Sequence, residues 1–355
     1  MKRTVYRIAI GALVSIAAFS VEAAPNRVAG SGFGGYSQWA TDHYPGFEGL
    51  DEIPLPEKKE KGLLSKWFGI GAPDGATPLA QLEIAKKLEA NGEYKAAANA
   101  YDALVREWPA AVEAPEAQHR LAVLCESHLG EYADAYEEYA YLLDFYAKDC
   151  PYAKVVETQY KLVNLLYDTR RVFMGMSFTG NRELRQMYER IVRRAPGAAY
   201  VPEAMLKIAD LREQDTDYEE SIKVYSTLRS RYIGTDEARK ALYREAKARM
   251  WLVRRLAYNL PRCKDTESYL KLALRNDPSH PDAEEMRRWL TELSDYLSED
   301  AWTRARFYDT KQRTRHAAIA AYERFVSEHP DSSHADEARA RIAKLKEENG
   351  EGGSK

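Results

Sequence analysis

Histidine and cysteine residues are the side chains of this sequence that could bind a metal or act as nucleophiles. The chain has seven histidines and three cysteines, of which His119, Cys125 and His128 lie close together on one predicted helix. Side chains three residues apart share a helical face, as Cys125 and His128 would. Because no third ligand or base accompanies them and no C-x-x-C or H-E-x-x-H motif occurs, we interpret the pair as a buried cysteine beside a turn histidine.

Carboxylates and loops give no catalytic pattern. Acidic pairs such as Glu137 with Glu138 fall on predicted helices, where adjacent side chains point about 100° apart and therefore indicate solvated faces. The sequence has no glycine-rich phosphate loop and no nucleophile elbow. It therefore predicts no catalytic residue, no cofactor and no metal, and a protein that is not an enzyme.

Three arginine pairs are the candidates for a binding surface, namely Arg170–Arg171, Arg193–Arg194 and Arg254–Arg255. Arginine and tyrosine are frequent at binding hot spots, and the chain has 24 tyrosines against 9 phenylalanines. Each pair could equally be a solvated helix face or end, so the binding-surface residues stay unknown. A formal net charge of −3 argues against a nucleic-acid partner, which requires a basic face.

These residues belong to a repeated pattern. Steps of three and four residues place Tyr94, Ala97, Tyr101 and Leu104 on one helical stripe, and Pro109 ends the helix. Each copy is followed by an acidic start to a second helix, as in Pro115-Glu-Ala117. Six copies of the stripe, one of them degraded, are centred on Tyr101, Tyr139, Tyr188, Tyr225, Leu270 and Tyr322.

The repeat predicts an all-α fold. One antiparallel helix pair cannot bury its own apolar face, so successive pairs must stack. We therefore expect a tetratricopeptide-type α-solenoid of about six irregular helix pairs over residues 78–348. The spacing leaves room for insertions at 168–182 and around Pro261, and residues 296–315 are predicted to form one continuous helix.

The two ends differ from the repeats. Basic residues followed by the apolar run 8–19 predict a signal peptide over residues 1–23, cleaved between Ala23 and Ala24. Residues 24–77 form a predicted flexible leader containing a short apolar patch at 63–70, and residues 349–355 a disordered tail. The patch could pack on the solenoid, on a partner or on a membrane. A disulfide between Cys125 and Cys150 is also left open.

Two segments carry a resemblance to a known family. The first runs from Ala305-Arg-Phe-Tyr308 through Tyr322 and Phe325 to Ala338. The second joins Val172-Phe-Met-Gly175 to the stripe of Tyr188. Together they resemble the BamD family, the periplasmic tetratricopeptide-repeat components of the machine that inserts β-barrels into the outer membrane. The resemblance implies a scaffold that contacts envelope proteins or unfolded outer-membrane polypeptides.

This chain departs from that family in lacking the cysteine to which a lipid anchor is attached, and in its long leader. The alternative is a periplasmic coordinator of the CpoB type, associated with the Tol–Pal system and peptidoglycan synthesis. Either interpretation implies the periplasm, peripheral to the inner face of the outer membrane, with at most peripheral membrane association. The partner or cargo, the face that binds it and the oligomeric state are not specified by the sequence.

Overall fold

Regular structure in the described residues is entirely helical. The computed structural model describes residues 72–169, 180–312 and 314–351. The predicted signal peptide with its cleavage site, the patch 63–70 and the pair Arg170–Arg171 lie outside these ranges. The helices are α1 Pro78–Ala90, α2 Tyr94–Glu107, α3 Ala114–Leu124, α4 Tyr132–Phe145, α5 Tyr152–Thr169, α6 Asn181–Arg194, α7 Val201–Gln214, α8 Tyr218–Arg231, α9 Asp236–Arg255, α10 Leu260–Asn276, α11 Ala283–Phe307, α12 Arg315–Glu328 and α13 Ala335–Glu351.

Local sequence signals explain where these helices begin and turn. Thr77 caps α1 by accepting a hydrogen bond from the Ala80 amide at 3.3 Å, and Pro78 at the first helical position loses no backbone bond. Gly92 and Gly130 have φ angles of +80° and +67°, which residues with a side chain adopt only with strain. These two glycines therefore allow the tight turns from α1 into α2 and from α3 into α4.

The helices stack in chain order. Substantial contacts within the described residues join each helix to the next, and also join α7 to α9 and α9 to α11. This arrangement gives six antiparallel pairs, from α1 with α2 to α11 with α12, and α13 packs on α12 at the end. The predicted tetratricopeptide-type α-solenoid is confirmed. We call the first helix of each pair (α1, α3, α5, α7, α9, α11) an A helix and the second a B helix.

Each B helix buries the central residue of the predicted stripe. Tyr101, Tyr188, Tyr225 and Leu270 are 0% exposed, and the other two central tyrosines are nearly as deeply buried. The tyrosine hydroxyls donate to acceptors near the end of the preceding A helix or in the turn after it. These hydrogen bonds are Tyr101 to Glu89, Tyr139 to Glu126, Tyr188 to Asn164, Tyr225 to Glu213 and Tyr322 to Asp309.

Buried apolar residues form three clusters along the solenoid. The first extends from Leu82 in α1 to Ala241 in α9, and the second from Leu242 in α9 to Leu297 in α11. The third joins Trp302 in α11 to helices α12 and α13. Helix α11 therefore contributes to two clusters, one at each of its ends.

Two boundaries differ from the sequence prediction. The continuous helix predicted for residues 296–315 ends at Phe307, and a π-helical turn over Tyr308–Gln312 follows it. Asp309 in this turn accepts hydrogen bonds from Tyr322 and Arg341, which holds the chain against α12 and α13. Helix α13 extends to Glu351, whereas the sequence places the start of the tail at residue 349.

Candidate protein-interaction surface

The arginine pairs occupy different environments. Arg194 is a buried structural residue, since only 9% of its side chain is exposed and it contacts Asp144 at 2.7 Å and the Gln159 amide oxygen at 2.8 Å. Burial lowers the pKa of Arg194, but the charge of Asp144, its hydrogen bond and the neighbouring Tyr136 and Tyr152 together outweigh this effect, so the pKa is raised. The guanidinium therefore joins α6 to α4 and α5, and it is not available to a partner.

Arg254 and Arg255 remain at the surface. Arg254 contacts the Glu292 carboxylate at 2.7 Å and so joins α9 to α11. Arg255 lies over the Trp251 ring at 4.7 Å, and this ring stacks on Tyr218 with a centroid distance of 3.8 Å. The pair Arg254–Arg255 thus provides one ion pair between repeats, and one exposed cation that lies on an aromatic ring.

The candidate residues for metal or nucleophilic chemistry are separated. Cys125 is buried, whereas His128 is exposed and stacks on Tyr94 at a centroid distance of 3.8 Å. His119 is half-buried on α3, and burial, together with the charges of Arg120 and Lys154, lowers its pKa. All three cysteines have free thiols. The described residues contain no group of three histidine, cysteine or carboxylate side chains that could hold a metal.

Hydrogen bonds from tyrosines connect the loops between successive repeats. The Tyr146 hydroxyl donates to the Pro109 carbonyl at 2.7 Å, and the Tyr232 hydroxyl donates to the Pro196 carbonyl at 2.8 Å. The hydroxyl of Tyr152, at the start of α5, donates to the carbonyl of Arg194, at the end of α6, at 3.5 Å. This bond connects the loop before α5 to the loop after α6. Because every B helix ends on the same side of an antiparallel stack, these loops form one continuous edge. We call this the loop edge; it comprises residues 108–113, 146–151, 195–200, 232–235, 277–282 and 329–334.

Two aliphatic side chains project from the loop edge. Val112 is 92% exposed and Ile233 is 83% exposed, the largest values among the large hydrophobic residues described. Valine and isoleucine are usually buried. The loop of Val112 accepts the hydrogen bond from Tyr146, and Ile233 directly follows Tyr232, which donates to the Pro196 carbonyl. The loop edge is therefore the apolar part of the surface that is most open to a partner.

Two clefts open at corresponding places on the same edge, each between the first turns of one A helix and the loop that leads to the next. The larger, cleft 1, has a volume of about 550 Å³ and lies between residues 109–112, the start of α3 and residues 149–151. The smaller, cleft 2, has a volume of about 360 Å³ and lies between the start of α9 and residues 280–282.

Cleft 1 is lined by apolar and polar surface in similar proportions. Its walls include Pro109, Val112 and Tyr146, and its charged groups are Glu116 and Asp149. A hydrogen bond from Lys86 at 2.7 Å lowers the pKa of Glu116, so this carboxylate is ionised and already has a basic partner. Burial and the charge of Asp149 raise the pKa of the Cys150 thiol, also in the wall, to about 11, so the thiol is neutral near pH 7.

Cleft 2 is more basic, with Arg239, Lys240 and Arg244 in its wall. Arg239 is bound to Asp277 at 2.6 Å, and Arg244 is paired with Asp210 on α7. The buried His280 lies between the two sides of the cleft. Its Nδ1 atom accepts a hydrogen bond from the Asp282 amide, and its Nε2 atom lies 3.1 Å from the Arg239 carbonyl oxygen. Much of the basic charge of this cleft is therefore neutralised within the protein.

The sequence reasoning did not find Val112, Ile233 or the clefts. The signal that could have found the two exposed residues, though not the clefts, is an aliphatic residue in a loop between two helical stripes, where polar residues and glycine are usual. The arginine pairs were more visible in the sequence, but Arg194 and Arg254 are held in ion pairs with Asp144 and Glu292.

Comparisons with known proteins agree with the repeat. Residues 203–232, which cover most of α7 and all of α8, match a family model described as tetratricopeptide repeat. Among solved structures, the chain is similar to a tetratricopeptide repeat protein from Parabacteroides merdae, at 14% identity and a TM-score of 0.27, over 76% of this chain and 99% of that one. It is also similar to the C-terminal part of a TPR repeat-containing protein from Cytophaga hutchinsonii, at 13% identity and a TM-score of 0.25, over 72% and 98% of the two chains. No curated protein matches the sequence.

The helix pairs, the buried tyrosine stripes and the matched repeat define the class of the protein. It is a tetratricopeptide-type helical-repeat scaffold, a fold that presents extended surfaces for contacts with other proteins. No helix in the described residues is both long enough and apolar enough to cross a membrane.

Proposed function

We propose that this chain is a periplasmic scaffold, without enzymatic activity, that holds partner proteins or extended polypeptides during assembly of the cell envelope. Its closest functional analogue would be the BamD component of outer-membrane β-barrel assembly. In this role the solenoid provides a rigid surface on which a partner and a cargo polypeptide are brought together.

The loop edge is the observation that carries this proposal. Val112 and Ile233 are almost fully exposed there, and both clefts open on it. Elsewhere, ion pairs such as Arg254 with Glu292 neutralise charge between neighbouring A helices. Exposed aliphatic side chains gain hydrophobic free energy when a partner removes them from water, about 25 cal/mol for each Å² of apolar surface that is buried.

The resemblance to the BamD family supports the choice of partner. Tyr322, Phe325 and Ala338 from the first resembling segment pack together in the third apolar cluster. From the second segment, Tyr188 is a buried residue of α6. Residues 172–175 lie outside the described residues. The predicted export signal supports the periplasmic location.

Site-specific photo-crosslinking in the native cell tests the proposal. A photoreactive amino acid would replace Val112 or Ile233 in turn. Leu272 of α10 is the control, since it is also exposed, at 41%, but lies outside the loop edge. We expect the two loop positions, and not the control, to capture a β-barrel assembly protein or an unfolded outer-membrane polypeptide.

Two results would overturn this assignment. Capture of Tol–Pal or peptidoglycan-synthesis proteins at positions 112 and 233 would replace it with a coordinator of the CpoB type. Equal capture at all three positions would show that the loop edge is not a specific surface. Cell fractionation and N-terminal sequencing test the location, with the expected mature chain beginning at Ala24.

A further inference from the structure

We propose that cleft 1 is a docking site for the apolar patch of the chain's own leader, residues 63–70. These residues lie outside the described part of the chain, and the patch contains Leu63, Leu64, Trp67, Phe68 and Ile70. The proposal goes beyond the scaffold function, because it gives one part of the loop edge an occupant that belongs to the same molecule.

The shape and chemistry of cleft 1 suit this occupant. A volume of about 550 Å³ lies within the range of clefts that hold small ligands, so the cleft can admit a large aromatic side chain. Three prolines, Val112 and Tyr146 supply apolar contact surface in its walls. The leader patch offers two adjacent aromatic residues, Trp67 and Phe68, which gain the most from such burial.

Charge complementarity favours the same occupant. The patch is flanked by Lys61 and contains Lys66, whereas the charged side chains in the wall of the cleft are Glu116 and Asp149. Lys86 already pairs with Glu116 at 2.7 Å. The exposed Asp149 is therefore the carboxylate that we expect to receive a leader lysine.

The connection between the patch and the cleft is short. Lys86 of α1 contacts Glu116 at the start of α3, and Glu89 contacts Arg120 one turn later, so these two A helices run side by side in the same direction. The start of α1 therefore lies at the same end of the solenoid as the start of α3, which lines cleft 1. The Gly75 amide donates a hydrogen bond to the Gln81 side chain at 2.8 Å, which fixes the connecting segment to α1. The five residue steps from Gly75 back to Ile70 can span at most about 18 Å when extended. This exceeds the width of one helix, about 10–12 Å, so the patch can pass from α1 to α3.

Attachment to the same chain raises the effective concentration of the patch at the cleft to about the millimolar range. A weak apolar contact is then sufficient to keep the cleft occupied. An envelope partner that uses Val112 would compete with the leader patch for this part of the loop edge, whereas Ile233 lies outside cleft 1.

Photo-crosslinking within the purified full-length exported chain tests this inference. Phe68 would be replaced by p-benzoylphenylalanine, and the crosslinked residues would be mapped by mass spectrometry. We expect crosslinks within one molecule to residues 109–119 and 146–151. Val112→Asp should reduce their yield about tenfold, the factor expected for loss of one buried aliphatic contact.

Ile233→Asp is the matched control, because it introduces the same charge at an equally open position of the same edge and should leave the yield unchanged. Neither substitution removes a core contact, since both side chains are exposed. Three outcomes would overturn the proposal: crosslinks to other helices, crosslinks between isotopically distinct copies of the chain, or an equal decrease in yield for both variants. Each can be distinguished from failure of the scaffold function, which is measured by partner capture in the cell.

Discussion

The repeated tyrosine is the residue on which the structure most depends. Its ring fills the space between two helices, and its hydroxyl reaches an acceptor near the end of the preceding A helix, as Tyr225 does with Glu213 at 2.9 Å. Phenylalanine would fill the space but leave the acceptor without this donor. Burial, followed by the charge of Asp309, raises the pKa of the corresponding Tyr322 to about 12, so the donor keeps its proton at physiological pH. This requirement accounts for tyrosine at five of the six central positions.

Tyr225→Phe tests the contribution of one such hydroxyl. Tyr225 is fully buried, and burial raises the pKa of its partly buried partner Glu213. Loss of a hydrogen bond to such a carboxylate should cost about 1.5–3 kcal/mol of unfolding free energy, measured by urea denaturation. Tyr296→Phe is the control, because Tyr296 is 36% exposed and its variant should be nearly neutral. Equal effects of the two substitutions would contradict the role assigned to the buried hydroxyl.

His119 gives the stability of the protein a predictable dependence on pH. Burial, then the nearby charges of Arg120 and Lys154, lowers its pKa in the folded state, whereas the unfolded value is about 6.5. As the pH falls below about 6.5, the unfolded chain takes up a proton that the folded chain resists, so stability is lost until the folded pKa is reached.

We therefore expect His119→Gln to make the loss of stability between pH 7.5 and pH 5.5 smaller than in the unmodified chain, as measured by the urea midpoint at the two pH values. The difference between the two proteins at pH 7.5 serves as the control, since it reports effects of the substitution other than titration. An unchanged pH dependence would show that His119 does not contribute.

At the scale of the helices, ion pairs differ in value according to their burial. Arg194, Asp144 and Gln159 form a buried contact that joins three helices, whereas Arg254 and Glu292 meet at the surface of two A helices. A buried charge that loses its partner cannot be solvated, but a surface charge can. The two arginines look alike in the sequence and should respond differently to substitution.

Arg194→Leu should therefore cost about 3–5 kcal/mol, because it leaves the Asp144 carboxylate buried without its cation. Arg254→Leu should cost at most about 1 kcal/mol, as is typical of an exposed ion pair. Urea denaturation of the two variants at the same pH and salt measures both values. Similar losses in the two variants would contradict the assignment of Arg194 to the core.

These helices also show what sequence periodicity can and cannot predict. The stripe spacing predicted the B helices and their buried centres, because the period of a helix and the apolar character of Tyr101 or Leu270 are local properties. It could not predict that Glu245 is buried between Arg229 and Arg249, because that contact depends on how α8 packs on α9. For the same reason, the clefts on the loop edge could not be found, since each is formed by segments about 30 or more residues apart, or roughly one repeat.

At the scale of the whole molecule, the three apolar clusters divide the solenoid into parts of unequal size. The first cluster extends from α1 into α9, whereas the third contains seven buried residues from α11 to α13. A polar stretch of α11 separates the second cluster from the third, and there Ser298 donates a hydrogen bond to Ser332 at 2.6 Å. In a solenoid, stability is a sum over contacts between neighbouring repeats. The C-terminal part has the smallest cluster of such contacts, so we expect it to unfold first.

Phe325→Ala provides the test of this division. Phe325 is 1% exposed and packs against Trp302 with a ring centroid distance of 5.5 Å, and its truncation should cost about 3–5 kcal/mol. If the clusters open separately, hydrogen exchange will accelerate in α12, α13 and the end of α11, while α2 to α8 keep their protection. Leu142→Ala in the first cluster is the matched control and should accelerate exchange around α4 without affecting α12. A uniform acceleration along the chain in the Phe325 variant would show instead that the solenoid unfolds as one cooperative unit.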